Sequence, residues 1–380
     1  MIEHGSLARQ SDVTIIGGGP AGAALAIALR RAGVAPVTLL DRPVSGAFRI
    51  GESVSPAIAP HLRRLGLPDD LTRFGHHPYH GNRSLWGGIV AVDDFLHRGL
   101  GHGWHLDRSA FDQWLRDAAM SHGVRLISPA RLEAVSMRPG GGWHLRFTYA
   151  GRRVDHIAGF IVDASGRRAA LAARLGVRRR RCDRMLAIAT LAPAAQTGLG
   201  SLSLVEAVAY GWWYAALLPN GTALVSLMTD HDIVRAHNLA RPDTFRSAWA
   251  ATHELADLVP PPIKLSAPVA VFPAHTQYVE RAAGRGWLSI GDALLALDPL
   301  TSSGITGALD DACTAAETIL AWLGSACETD RIAAAMSHAR RADRTLRRYL
   351  TERRRLYAAE FRWADQPFWR RRVASTRMTG

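Results

Sequence analysis

The run Gly17-Gly18-Gly19-Pro20-Ala21-Gly22 has the G-x-G-x-x-G spacing that lets a backbone close on a pyrophosphate. Gly17 permits a tight turn, Gly19 leaves no Cβ between chain and phosphate, and Gly22 lets a helix pack closely on a strand. Pro20 and Ala21 open that helix, whose free N–H groups and positive dipole end face an anion. Asp41 follows Gly22 by nineteen positions, with Arg42 beside it. At that reach a carboxylate accepts hydrogen bonds from a ribose hydroxyl. The chemistry this pattern serves is dinucleotide binding.

Such a constellation needs a strand, a turn, a helix and a second strand in order. The apolar run ending at Ile16 reads as the first strand, Ala23 to Ala32 as an alanine-rich helix, and Val37 to Leu40 as the second strand. Further groups able to meet a cofactor come in the same strand-loop-helix setting. Arg49, Gly51, Glu52 and Ser53 form a glycine-centred loop that suits either a flat cofactor or a polar surface connection. Arg108 precedes an amphipathic helix, Ala110 to Ser121, with Phe111, Trp114, Leu115 and Ala118 on its core side. An arginine there can reach a phosphate. Phe160 to Val162 runs into Asp163 and a glycine-bearing turn, repeating the logic of the opening unit. Trp287 to Ile290 runs into Gly291 and Asp292, and Asp298 to Ile305 leads into a long helix ending near Leu323.

Between these units the pattern is β-like. Val124 to Ile127, Leu132 to Met137, Trp143 to Tyr149 and Val154 to Ile157 read as a small meander. Met185 to Thr229 holds at least three strands and the run Gly211-Trp212-Trp213-Tyr214. Alternation turns Trp212 and Tyr214 to one face and Trp213 to the other, as sheet core or as the aromatic wall of a cavity. His231 to Leu258 reads as helical, and so does the chain from Arg331, with Leu346, Leu350, Tyr357 and Phe361 as an apolar stripe. Arg178 to Arg181 reads as a solvated loop, and with Arg353 to Arg355 it is either merely solvated or part of an arginine-rich rim.

Composition narrows the class. With 380 residues, 48% hydrophobic and 21% charged, the chain can bury a large core. Its three cysteines have neither disulfide nor metal-ligand spacing, so no metal site is expected. No signal peptide is visible, and no apolar run approaches the roughly 18 residues that span a membrane. A reduced, cytoplasmic protein is expected. Net charge is +13, and Lys264 is the only lysine. So basic a balance favours an acidic partner. No nucleic-acid recognition motif accompanies it.

Five of these motifs together resemble the FAD-dependent aromatic hydroxylases and flavin-dependent halogenases: G-x-G-x-x-G with Asp41, the Gly51-Glu52-Ser53 loop, Arg108, Asp163 to Arg167, and Gly291-Asp292 with Asp298-Pro299. The resemblance implies an α/β protein with a Rossmann-like FAD-binding domain, an inserted antiparallel β-sheet substrate domain and C-terminal helices. The FAD-binding parts would be residues 1–80, 108–180 and 276–325, the substrate parts 81–107 and 181–275, and the helical segment 326–380. FAD would be held by Gly17, Gly19, Pro20, Ala21, Gly22, Asp41, Arg42, Arg49, Gly51, Ser53, Arg108, Leu132, Asp163, Gly291, Asp292, Pro299, Ser303, Gly304 and Ile305. The backbone N–H groups near Gly304 and Ile305 would stabilise negative charge on the reduced flavin.

Two departures bear on the reaction. Halogenases need a lysine between the Gly-Glu-Ser loop and the central strands, and none stands there. Their G-W-x-W-x-I-P signature is broken at Tyr214 and Ala216. Asn82 to Gly87 and Gly211 to Pro219 are instead similar to the flavoprotein maturases of tryptophylquinone enzymes, those serving lysine oxidase, glycine oxidase and quinohaemoprotein amine dehydrogenase. That similarity implies an FAD monooxygenase that hydroxylates a tryptophan side chain of a protein through a flavin C4a-hydroperoxide. The alternative is a hydroxylase of a small aromatic metabolite, then a halogenase or isoprenoid reductase. Glu52, Trp212 and Tyr214 are the catalytic candidates, and Trp86 and Trp213 the cavity candidates. O2 would be co-substrate, and NAD(P)H or a partner flavin reductase the electron source, since no second G-x-G-x-x-G is visible. The protein partner would be acidic and tryptophan-bearing.

Overall fold

The computed structural model describes residues 10–42, 48–195 and 197–374. Its central sheet is parallel, in the order Trp287–Ser289, Arg152–Asp163, Gln10–Ile16, Val37–Leu40, Arg125–Ile127. Val13, Thr14 and Ile15 are wholly buried, because a parallel sheet is covered on both faces. Helices Pro20–Arg31, Arg108–Ser121 and Gly304–Gly324 share one apolar core with the strands. A hairpin, Ala130–Met137 with Trp143–Tyr149, and helix Ala170–Arg174 join the other core.

The segments expected as two strands around Gly159 form one, Arg152–Asp163. Its first half pairs antiparallel with Trp143–Tyr149 and its second half parallel with Gln10–Ile16. A Cβ at Gly159 would lie 3.0 Å from the Asp12 carbonyl oxygen, so this glycine marks close strand approach rather than a turn.

A second sheet has seven strands: Ala270–Pro273, Met185–Pro193, Thr222–Asp230, Gly211–Leu217, Leu202–Val208, Gly81–Trp86 and Ile89–Asp94. All neighbours are antiparallel except Leu202–Val208 and Gly81–Trp86. The region expected as one helix divides into His231–Ala236, Pro242–Ala250 and Glu254–Leu258. Pro242 starts the second of these, where its missing N–H costs no helix hydrogen bond. These helices cover one face of the sheet. Helices Glu328–Ala358 and Pro367–Val373 pack on part of the other.

Two arginine runs differ from expectation. Arg179–Arg181 is a strand paired with Gln277–Val279, not a loop. Arg179 donates to the carbonyls of Arg167 and Arg168, and Arg180 pairs with Glu280. Arg353 is buried between Asp298 and Asp183, so it adds nothing to a solvated rim. In the expected C-terminal stripe Leu346 and Tyr357 are buried, but Phe361 is 68% exposed because the helix ends at Ala358. The architecture is the mixed α/β one the motifs implied. Among the described residues no helix is long and apolar enough to cross a membrane.

Candidate functional site

The glycine turn divides its labour by position. Gly17 has φ +114°, and a Cβ on it would stand 2.2 Å from the Ala164 carbonyl oxygen. A Cβ on Gly22 would stand 1.9 Å from the Gly17 oxygen, so helix and turn touch there. At Gly19 a Cβ would meet nothing within 4 Å, so the backbone faces open space. Gly19 caps helix Pro20–Arg31 without any side-chain cap, leaving the first turn's donors for an anion. This is a cradle of the shape a pyrophosphate needs. Gly18, which carries no role in the fingerprint, donates its N–H to Asp41 Oδ1 at 2.9 Å. Asp41 Oδ2, 3.9 Å from Arg116, is the oxygen a ribose hydroxyl can reach. Arg42 is exposed beside it.

Gly291 closes the cradle from the far side. It has φ +55°, and a Cβ there would approach the Ala21 Cβ to 2.8 Å. Its N–H donates to Asp311, whose carboxyl burial pushes up to about 6. Asp292 faces Arg167 at 3.6 Å, and Arg167 donates to the carbonyls of His275 and Leu297. Pro299 begins a short 3-10 turn capped by Asp298. Ser303 Oγ lies 2.7 Å from Thr301 Oγ1 and gives helix Gly304–Gly324 no side-chain cap, so the N–H groups around Gly304 and Ile305 are available to an electron-rich ligand edge.

Asp163 and Leu132 do not turn toward this cradle. Asp163 accepts from the Ser165 N–H and hydroxyl with one oxygen and from the Leu171 and Ala172 N–H groups with the other. It is a cap that fixes the loop beneath Gly17, and its contribution to a cofactor is indirect. The Leu132 side chain is buried in the hairpin core, and its carbonyl accepts from Arg174.

The Gly51 loop is clamped by charge. Arg108 is the first residue of its helix, capped by Asp107, rather than a residue ahead of it. Its guanidinium donates to the carbonyls of Ile50 at 2.9 Å and Gly51 at 3.1 Å and meets Asp112 at 3.3 Å. Arg49 also pairs with Asp112. The i, i+4 spacing of Arg108 and Asp112 signals their pair, but the reach to Arg49 is tertiary. Gly51 has φ +89°, which a residue with a Cβ would resist.

Glu52 is buried and its Oε2 has no hydrogen-bond partner. Burial raises its carboxyl, with the Tyr214 hydroxyl as the largest opposing influence. Ser53 Oγ lies 2.6 Å from Tyr214 Oη and 2.7 Å from His105 Nδ1. Burial depresses His105 to about 3, so at neutral pH it is uncharged. Sequence reasoning found Glu52, Ser53 and Tyr214 but missed His105, which lies in a three-residue strand with no motif around it.

The aromatic candidates separate. Trp212 and Tyr214 share a face, as alternation requires. Trp212 donates to the Tyr357 hydroxyl at 3.0 Å, and Trp86 donates to the Leu356 carbonyl and meets Trp369 edge to face at 5.1 Å. The C-terminal helices therefore cover both tryptophans. Trp213 is wholly buried on the opposite face, 5.0 Å from Phe245, so it is core and no cavity residue. Partly buried apolar groups that share clusters with Tyr214 include Phe48, Ile50, Phe272 and Leu300.

The tryptophan halogenase family model matches residues 12–77 and 91–379. A protein described as an FAD-dependent oxidoreductase, LodB of Marinomonas mediterranea, is 31% identical over 96% of this chain and 97% of its own. A tryptophan 2-halogenase of Chondromyces crocatus is 25% identical over 82% of this chain, which spans 62% of that enzyme. Among solved structures, the peptidyl tryptophan dihydroxylase QhpG, essential for tryptophylquinone cofactor biogenesis, aligns with TM-score 0.78 and 29% identity over 96% of this chain and 78% of its own. The chain belongs to the tryptophan halogenase family and is an FAD-dependent enzyme of that halogenase-like superfamily.

Proposed function

We propose that this enzyme is an FAD-dependent monooxygenase that hydroxylates the indole of a tryptophan in a protein substrate, a step toward a tryptophylquinone. The observation that carries the reading is the chain's lysine content. Its one lysine, Lys264, is exposed in the loop before Ala270–Pro273. The side chains that bear on the Glu52 carboxyl are the Tyr214 hydroxyl and the Arg108 guanidinium, with no ammonium to meet a hypohalous acid. The peptidyl tryptophan dihydroxylation carried out by QhpG supports the same reading, and the full-length likeness to LodB supports its oxidoreductase part.

The residues present fit FAD. The open backbone at Gly19, Asp41 Oδ2 and the uncapped turn at Gly304 would hold its pyrophosphate, ribose and ring edge. Bound FAD would supply the electron transfer that activates O2. In balance, one aromatic C–H, O2, two electrons and two protons give one aromatic C–OH and water. NAD(P)H, directly or through a partner flavin reductase, is the electron source. The chain's own residues do the rest. Ile50, Phe272 and Leu300 exclude water from the reacting ring, and Tyr214 orients Glu52. Glu52 Oε2 takes the proton that the attacked carbon releases. An indole is nucleophilic without prior deprotonation, so no stronger base is required. The arginine-rich surface raises the encounter rate with an acidic partner.

The test is turnover under heavy-isotope dioxygen, with a flavin reductase, NADH, bromide and an acidic tryptophan-bearing protein. Gain of one or two labelled oxygens on tryptophan is expected. A brominated product, or oxidation of free phenols with none of the protein, would sink the reading.

A further inference from the structure

The outer edge of the seven-stranded sheet is the strand Ile89–Asp94, which pairs only with Gly81–Trp86 among the described strands. Edges of this kind are usually blunted by charged side chains, proline, a bulge or a covering element, and here charge stands only at the far end, at Asp93 and Asp94. Here the first five residues are exposed, with Ile89 at 68%, Val90 at 45% and Val92 at 51%. Leu96 and Leu100, half exposed, extend the apolar surface just beyond the strand. Gly87 and Gly88, both at positive φ, make the tight turn that fixes register, pairing Trp86 with Ile89. The hydrogen-bonded pairs then fall at Trp86/Ile89 and Ser84/Ala91, continued by Phe95 N–H to the His80 carbonyl. Val90 and Val92 therefore turn their backbone N–H and C=O groups outward.

This edge continues the candidate site. The registers run straight across the sheet from Tyr214 to Val205, Ser84 and Ala91, all on one face. The family model skips residues 78–90, which hold the whole inner strand and the turn, and resumes within the outer strand.

We propose that Ile89–Asp94 docks an extended segment of the polypeptide substrate as an added antiparallel strand. The inference rests on the protein-substrate reading above. Outward N–H and C=O groups recognise a backbone of any sequence, and Val90 and Val92 favour β-branched or aromatic neighbours. The geometry also sets a spacing. From Tyr214 to the added strand there are four inter-strand steps of about 4.8 Å, or roughly 19 Å. The tryptophan must therefore lie at least about six extended residues from the docked segment, at about 3.3 Å each.

The probe is a display library of random peptides, each with one tryptophan at varied distance from the randomised segment, selected on FAD-loaded enzyme. Two variants accompany it: Val92→Pro removes one outward N–H and leaves the inner ladder intact, and Val90→Lys with Val92→Lys charges the edge. FAD content verifies that both fold. Enrichment of alternating β-branched segments is expected, with slowed amide exchange at Ile89–Asp94. Binding should weaken up to about tenfold in Val92→Pro, the upper end for one lost hydrogen bond. Oxygen gain should appear only beyond the six-residue spacing. Equal enrichment on wild type and both variants would overturn the proposal. So would a concentration-dependent dimer abolished by Val92→Pro, which assigns the edge to a second copy. Edge protection without oxygen gain leaves docking intact and removes the hydroxylase reading. Oxygen gain indifferent to both variants does the reverse.

Discussion

Asp298 and Glu52 are both buried carboxylates on loops beside the candidate cofactor cradle, yet their oxygens are held in opposite ways. Asp298 Oδ1 accepts from the Leu300 N–H, and Oδ2 accepts from Arg353 at 3.2 Å and from the Tyr357 hydroxyl at 2.7 Å. Every donor is protein, and Arg353 continues to Asp183 at 2.9 Å. Glu52 leaves Oε2 without a partner and its charge penalised by burial. A buried polar atom left open costs stability and persists when something else uses it. The first carboxylate belongs to the frame and ties the loop before Gly304 to the C-terminal helix. The second is free to do chemistry.

The sharpest way to break that contrast is Asp298→Ala. It removes one of the two carboxylates around the buried Arg353 and the acceptor of the Tyr357 hydroxyl, and denaturant unfolding should show a loss of about 3 kcal/mol, the low end for a broken buried pair because Asp183 remains. A smaller loss than Glu52→Gln would refute the assignment of roles. Glu52→Gln is expected to keep FAD content and stability while turnover falls about 10²–10⁴-fold, the range for a positioned acid–base group. Steady-state kinetics beside flavin absorbance checks both halves. Tyr214→Phe sharpens the comparison further. It deletes the hydroxyl that draws the Glu52 carboxyl downward, so the kinetic limb belonging to Glu52 should move to higher pH, at a stability cost of about 1 kcal/mol.

The smallest effects lie in the pH dependence of folding. Glu52 holds its proton more tightly folded than unfolded, so its burial destabilises progressively as pH rises above its ordinary 4.5. Glu52→Gln should flatten that decline. His105 and His338 have the opposite sense, pressed by burial to about 3 and about 4. The unfolded chain takes up those protons first, so stability is full above 6.5 and falls as pH drops toward 4. Thermal unfolding of His105→Asn across that interval should show a shallower acid limb.

What could be read in advance depended on how local each determinant was. The glycine cradle, its helix and Asp41 lie within 25 consecutive residues, and their order prescribes the turn. Asp163 stands in an equally good strand-acid-glycine pattern, yet its carboxylate turns to the Leu171 and Ala172 N–H groups. A linear pattern does not specify which way a side chain points. Alternation correctly divided Trp212 from Trp213, but which face would be covered by Phe245 and which by Tyr357 depended on elements well away in the chain. Arg353 looked like one member of a solvated run, because its partners Asp298 and Asp183 are 55 and 170 residues away.

By itself, then, the sequence determined the cofactor class and the missing lysine, since both follow from residue identity and short spacing. Tertiary structure alone decided that Asp298 is satisfied and Glu52 is not, that Trp213 is core, and that Ile89–Asp94 ends its sheet exposed. Burial, hydrogen-bond satisfaction and edge position depend on which distant segments come to rest against a residue, and no local spacing encodes that.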